Sequence, residues 1–342
     1  MGISIADVQK YIRDSVLQGI ENGLQRDHSF LKYLTKQGPS NAKGPQYRVK
    51  TSGNGSVKSG FAIGGALNTP GSADSVQVQL PWGNYGGSIS ISNRGLLQIM
   101  QSEADMTAQI DDQLGWQIDD LVDAILDAMN TDAMTGTEGS TTESGIVGLA
   151  AQLTDTGTKG GINIGTYPGV GCYVNDNSGG GNRTLTKAIL DTAFNEAVHE
   201  NFKVKWDAPM FIGFAHHTIV DAVRDLSSDN AVTLYQTQTS DSGVIARIGE
   251  EGVSYNGALL VKAPGYTQNR LDFVHMDELI LEILGWDPMM YDSAGGFANL
   301  EQLEAVKHEV QGDTDIFNVF AYAQLRVRNC AKKAFSIQEI AA

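Results

Sequence analysis

Residues 93–130 read NRGLLQIMQSEADMTAQIDDQLGWQIDDLVDAILDAMN, and their pattern decides the fold. No Pro occurs in this stretch, and between Asn93 and Met129 only Gly95 and Gly115 interrupt it. Ile99, Met106, Ile110, Leu114, Ile118, Leu121, Ile125 and Met129 recur at helical steps and form one apolar stripe. Ser92 or Asn93 can cap the start, and Asn130-Thr131 is expected to close the end. At 1.5 Å per residue such a helix is about 54 Å long, several times the usual globular length. Its other face carries one sign: Glu103, Asp105, Asp111, Asp112, Asp119, Asp120, Asp123 and Asp127, with no Lys or Arg between Arg94 and Lys159. A helix braced by i,i+4 ion pairs would alternate signs. A merely solvated face and a functional face both fit this row, and its single sign over such length is what favours function.

Upstream, residues 3–34 repeat Ile5, Val8, Ile12, Val16 or Leu17, and Ile20 at helical spacing, and Gly38-Pro39 ends the run. The segment is too short to fold alone, so it reads as an arm that packing must stabilise. From Gln46 to Ser92 the period changes to two. Residues 47–51, 76–80 and 86–92 alternate apolar and polar side chains as half-buried strands do. Residues 52–73 between the first two are rich in Gly and Ser, which predicts an extended hairpin with a soft tip. Loops of that length in compact domains are usually functional.

Downstream, residues 135–183 are rich in Gly, Thr and Asn and read as loops around minor strands. Thr184-Leu185-Thr186 opens a helix through Glu200, followed by a buried strand at 210–214 and a helix from His217 to about Leu226. Strands are expected at 257–262 and 271–275, an apolar run at 279–284, and a long C-terminal strand spanning 316–328 and 334–337. Helix, strand and helix followed by strands predict an α+β class.

The whole chain has 342 residues, 24 basic and 40 acidic, for a net charge of −16. That balance opposes sequence-independent DNA binding and adhesion to anionic membranes, both of which rely on Lys and Arg. Its 39 glycines exceed the about 24 that ordinary usage gives. No apolar run reaches the length of a membrane span, and the start shows neither a signal-peptide pattern nor the myristoylation motif. Cys172 and Cys330 make neither a disulfide framework nor a zinc cluster and default to small buried hydrophobes.

Catalytic motifs fail one after another. The Gly55–Gly60 spacing of a phosphate loop lacks its Lys, His199-Glu200 and His308-Glu309 lack a second His, and no nucleophile elbow occurs. His216, His217 and Asp221 form the best site-like cluster. It offers too few convergent ligands for a metal and reads as a helix-start surface group. No catalytic residue, cofactor or metal is expected.

The order of these parts resembles the major capsid proteins of tailed phages, with the Hong Kong 97-type fold. Local phrases agree. Gly252 to Val261 is similar to the family's strand-turn-strand in the A-domain, and Asn318 to Ile340, with Val327-Arg328-Asn329 and Lys333-Ala334-Phe335, to its C-terminal P-domain strand. The resemblance implies an N-terminal arm over 1–45, an extended E-loop over 46–92 and a P-domain over 93–183 with spine helix 93–130. An A-domain over 184–305 and a P-domain return over 306–342 complete it. It implies a structural, non-enzymatic shell protein, made in the host cytoplasm and found in the virion, that self-assembles through pentamers and hexamers around double-stranded DNA. Implied partners are a separate scaffolding protein, a portal and decoration proteins, with packaged DNA touched weakly and no membrane. Asp112, Asp119, Asp123 and Asp127 would line the cavity, where an acidic wall lets DNA slide. Some family members join an E-loop Lys to a P-domain Asn, which would make Lys58 and Asn329 the cross-link candidates. An encapsulin-type shell enclosing a cargo enzyme is the alternative, and an enzyme with an unrecognised site the third reading; neighbouring genes would separate the first two.

Overall fold

The computed structural model describes residues 5–26, 30–51, 75–92, 94–95, 106–137, 145–200, 204–207, 210–228, 253–287, 296–297, 306–311 and 314–341. By its internal contacts the chain divides into two units. The first comprises Met1–Gly44, Pro81–Gly148 and Ile280–Leu325. Its helix α1 (Ile5–Arg26) follows the N-terminal period: Val8, Ile12, Val16, Leu17 and Ile20 are all buried. It packs on α2 (Met106–Thr135), whose Ile118, Val122, Ile125, Leu126 and Met129 are buried in turn. Gly19 and Gly23, one turn apart, allow the close crossing. A Cβ at Gly19 would lie 3.0 Å from Val122 Cγ2, and one at Gly23 2.1 Å from Leu126 Cδ1. Each buried aliphatic side chain contributes roughly 1.5–3 kcal/mol, which gives α1 the support that an isolated helix lacks.

Beside α2 runs the Gly83–Ser92 strand, antiparallel to the long Thr314–Val327 strand from Gly83↔Ala323 to Ser92↔Thr314. Val306–Gln311 pairs with the first part of the long strand, while Leu279–Ile283 and then Thr35–Gln37 extend the sheet on its other part. Period-two burial is strict where the sheet has two different faces: Tyr85, Ile89 and Ile91 point inward, as do Asp315, Phe317 and Val319.

Helix α2 runs on to Thr135, past the Asn130-Thr131 stop that the sequence suggests. The Asn130 carboxamide does not cap its own helix; its Oδ1 accepts the Phe30 amide at 3.3 Å. The apolar stripe continues through buried Ala133 and Met134. Gly136 is the true terminator: its amide closes on the Asp132 carbonyl at 2.8 Å, and its carbonyl accepts Gly148 N at 2.8 Å. Residues 96–105 of the expected helix lie outside the described residues.

The second unit comprises Pro45–Leu80, Leu149–Leu279 and Arg326–Ala342. Its six-stranded sheet runs in the order Val253–Tyr255, Ala258–Lys262, Phe211–Ala215, Arg270–His275, Ala334–Gln338, Tyr173–Asn175. Asn256 and Gly257, both at positive φ (47° and 83°), make the tight turn between the first two strands, as an Asn-Gly pair between alternating runs should. Thr186 caps the Lys187–Asn195 helix by accepting Ile189 N at 3.3 Å. Phe273 stacks on Phe335 (4.7 Å, 17°) and Trp206 on Phe211 (4.4 Å, 28°) in the core. Gln46–Lys50 and Ser75–Gln79 pair antiparallel, from Gln46↔Gln79 to Lys50↔Ser75. They form the expected hairpin stalk; its tip, residues 52–74, lies outside the described residues.

The C-terminal strand is not continuous. Asn329 takes a left-handed conformation (φ 53°, ψ 36°), a helical turn follows at Cys330–Lys333, and Ala334–Gln338 joins the six-stranded sheet antiparallel to Arg270–His275. An Asn tolerates this backbone better than most residues because its short side chain hydrogen-bonds locally.

Candidate functional site

Helix α2 separates its two faces cleanly. The stripe of Ile118, Val122, Ile125 and Met129 is buried, and Asp119, Asp120, Asp123 and Asp127 are exposed on the other side. Asp112 lies on the same helix, its side chain outside the described residues. Among the described residues, no Lys or Arg forms an ion pair with Asp119, Asp120 or Asp123. In the middle of it stands Trp116, 67% exposed. At 100° per residue, Trp116 projects between Asp119, three residues on, and Asp120, four residues on. Trp116 is the large apolar side chain exposed on this acidic face. The sequence reading missed Trp116, although an aromatic residue out of phase with the apolar stripe is a signal that was available.

Beneath this face, the end of α2 is pinned by polar groups. Tyr85 donates its hydroxyl to Asp132 Oδ2 at 2.8 Å and accepts Ile146 N at 2.8 Å. Gln324, fully buried, accepts Val147 N at 3.2 Å and donates to the carbonyls of Val147 and Leu325 at 3.4 and 3.0 Å. These bonds tie the end of α2 to residues 146–147, and those in turn to the long strand.

In the second unit the hairpin stalk sits on Val170 and Ile162 through Tyr47, Val49, Val76 and Val78. Gly160 (φ 53°) lies directly beneath it: a Cβ there would come 2.6 Å from Gln79 O. The adjoining Lys159 is buried, at 2% exposure. A Lys-Gly-Gly segment reads as a turn in sequence, and nothing local announces a core lysine. Burial lifts the Tyr47 phenol to about 12, against the opposing pull of Lys159.

Of the cross-link candidates, Lys58 lies outside the described residues. Asn329 Nδ2 donates to Glu278 Oε1 at 3.3 Å, and the other oxygen of Glu278 accepts Arg328 Nε at 2.8 Å. His216 and His217 stack at 3.9 Å, and Asp221 is held by Arg224 and Lys262 at 2.7 and 2.8 Å. Lys262 foremost, with Arg224, keeps the Asp221 carboxyl below the usual range. Partial burial and the neighbouring His217 lower His216. The cluster is thus an ion-paired helix start, and no group of three potential metal ligands occurs among the described residues. Cys172 and Cys330 are both buried and unbridged. Cys330 is not the plain hydrophobe expected, because its sulfur contacts Lys159 Nζ at 2.8 Å.

No family model and no curated protein sequence matches this chain. Among solved structures it is similar to the capsid asymmetric unit of cyanophage A-1(L), with a TM-score of 0.62 at 17% identity over 91% of both chains. It is also similar to the capsid of a native GTA particle, with a TM-score of 0.50 at 12% identity over 92% of this chain and 90% of that one. The SrpI encapsulin of Synechococcus elongatus PCC 7942 aligns at a TM-score of only 0.46, with 12% identity over 90% and 85% of the two chains. At such identities the likeness establishes fold, and that fold, mixed α and β, is the one found in phage capsid shells.

Proposed function

We propose that this chain is the major capsid protein of a tailed phage, a structural subunit without catalysis that self-assembles into an icosahedral head around double-stranded DNA. The observation that carries the reading is the match to a phage capsid subunit over 91% of both chains. In the Hong Kong 97-type scheme, residues 1–45 form the N-terminal arm and 46–92 the E-loop, for which the paired stalk strands are support. The P-domain covers 93–183 around the spine α2 and returns over 306–342, with the A-domain over 184–305. Asp112, Asp119, Asp123 and Asp127 face the packaged DNA. Lys58 and Asn329 are the pair to examine for a cross-link, since Glu278 orients the Asn329 amide. Scaffolding, portal and decoration proteins are its partners, and the virion its location. No described helix is long and apolar enough to cross a membrane.

Electron microscopy of the purified chain, expressed alone and with the products of its neighbouring genes, is expected to show closed shells. A chain that stays monomeric in both preparations sinks the reading. Shells that enclose an enzyme encoded next door, and no DNA, would favour the encapsulin alternative.

A further inference from the structure

Lys159 is the one Lys in the buried set of the described residues, and it has an unusual set of partners. Its ammonium donates to the carbonyls of Gln152 at 3.2 Å and Val327 at 3.4 Å and contacts Cys330 Sγ at 2.8 Å. No carboxylate is among them. The Tyr47 ring lies alongside, its centroid 5.9 Å from Nζ. A buried cation without a carboxylate is costly, and the Cys330 sulfur, which also lies 3.3 Å from the Val327 carbonyl, is the side-chain group against its ammonium. Burial pushes Lys159 toward neutrality, but Cys330 and Tyr47 outweigh it and lift its pKa above the ordinary lysine range. Burial first, with Cys330 and Asp272 nearby, pushes the thiol of the other cysteine, Cys172, well up.

Sulfur is larger than oxygen, so 2.8 Å, a length ordinary for N–H···O, is a close approach for N–H···S. Cysteine sulfur is oxidised through its thiolate, and the oxidation places an oxygen atom on sulfur. Here a nitrogen held in place by two carbonyls lies against that sulfur. The Tyr47 hydroxyl is buried in the same cluster and adds a donor to it.

We propose that Lys159 and Cys330 form an oxidative cross-link through a single bridging oxygen, Nζ–O–Sγ, with dioxygen as the oxidant. The step balances: one ammonium, one thiolate and one O2 give the bridge and one water. The O=O bond and two N–H bonds break, N–O and O–S bonds form, and nitrogen and sulfur each lose two electrons to the two oxygen atoms. The third ammonium hydrogen remains on nitrogen. The bridge closes a loop of 171 residues and ties the turn beneath the hairpin stalk to the Cys330–Lys333 helical turn. Loop closure of that length restrains the unfolded chain strongly, so the bridged subunit is the more stable form once it leaves a reducing cytosol.

The test uses the full wild-type chain, purified once without oxygen and once in air, then denatured, alkylated, proteolysed and weighed by mass spectrometry. The expected result in air is a joined pair of peptides, one holding Lys159 and one Cys330. Its mass is the sum of the two plus one oxygen less two hydrogens. The species is expected to vanish on reduction with dithiothreitol, to be absent from the anaerobic sample and from Cys330→Ser, and to raise Tm relative to the anaerobic protein. Complete alkylation of Cys330 in the aerobic protein overturns the proposal. So does a Cys172–Cys330 disulfide, or a Cys330 oxyacid with Lys159 unmodified. None of these readouts requires a shell, so the result stands apart from the assembly reading.

Discussion

Residue by residue, the facing of α2 was legible before any coordinates, because burial repeats with the helical period and charge avoids it. Ile118→Asp puts a carboxylate among the buried side chains of α1 and α2, and the expected cost is about 4 kcal/mol or more. Asp119→Ala on the exposed face is expected to change stability by less than about 0.5 kcal/mol. Urea denaturation of the two variants checks the assignment, and equal midpoints would reverse it. What sequence hides is a polar group recruited into a core from far away. Arg270 reaches Asp272 twice, at 2.8 and 2.9 Å, and the carbonyls of Ala150 and Leu153 at 2.9 and 3.0 Å. Tyr266 donates to the same Asp272 carboxylate, which is fully buried. In sequence this is only an Arg-Leu-Asp on a strand. Asp272→Asn leaves the guanidinium buried without its anion, so a loss of about 3–5 kcal/mol is expected, read as a lower urea midpoint. A wild-type midpoint would mean that Arg270 finds another acceptor.

At the scale of elements, existence and type were readable where periodicity is long, and boundaries were not. The sequence reading stops α2 at Asn130 because Asn often ends a helix, yet the Asn130 side chain serves Phe30, a hundred residues away. The unbroken C-terminal strand failed for a related reason. Alternation of apolar residues before and after Asn329 looks continuous, while a single left-handed residue sends the two halves to different sheets. The stalk strands were legible from their alternation, while the soft tip expected of residues 52–73 lies outside the described residues. Deleting residues 54–70 removes little apolar surface, so the subunit is expected to stay folded and soluble. Its shells should fail to close or should break at mild heat. Intact, equally heat-stable particles would show that the segment does not lie over a neighbour. Gly160→Val tests the stem instead. It combines a strained φ with a clash against Gln79 O, and a loss of at least about 2 kcal/mol is expected, detectable as a drop in Tm.

For the whole molecule, net charge and its placement carry the argument. The chain holds 24 basic residues against 40 acidic ones, and among the described residues no Lys or Arg pairs with Asp119, Asp120 or Asp123 of the α2 row. In a contact between subunits such a row would need cations from a partner; on a cavity wall it needs none. Exposed Trp116 at the centre of the row sharpens the choice, since an indole suits a protein contact and the carboxylates suit a repulsive wall. Replacing Asp112, Asp119, Asp123 and Asp127 by Lys turns four negative charges per subunit into four positive ones. In a closed shell of many copies that reversal dominates the field near the wall and fades beyond about 8 Å at physiological salt. Shells of the quadruple variant are expected to assemble and to retain nucleic acid more tightly, with release shifted to higher salt and a steeper salt dependence, because each added cation neutralises phosphate and frees counterions. Retention measured against salt on purified particles decides the matter. Failure to assemble would place the row in a subunit contact, with Trp116 as its anchor, whereas assembly with unchanged retention would turn the row to the outside of the shell.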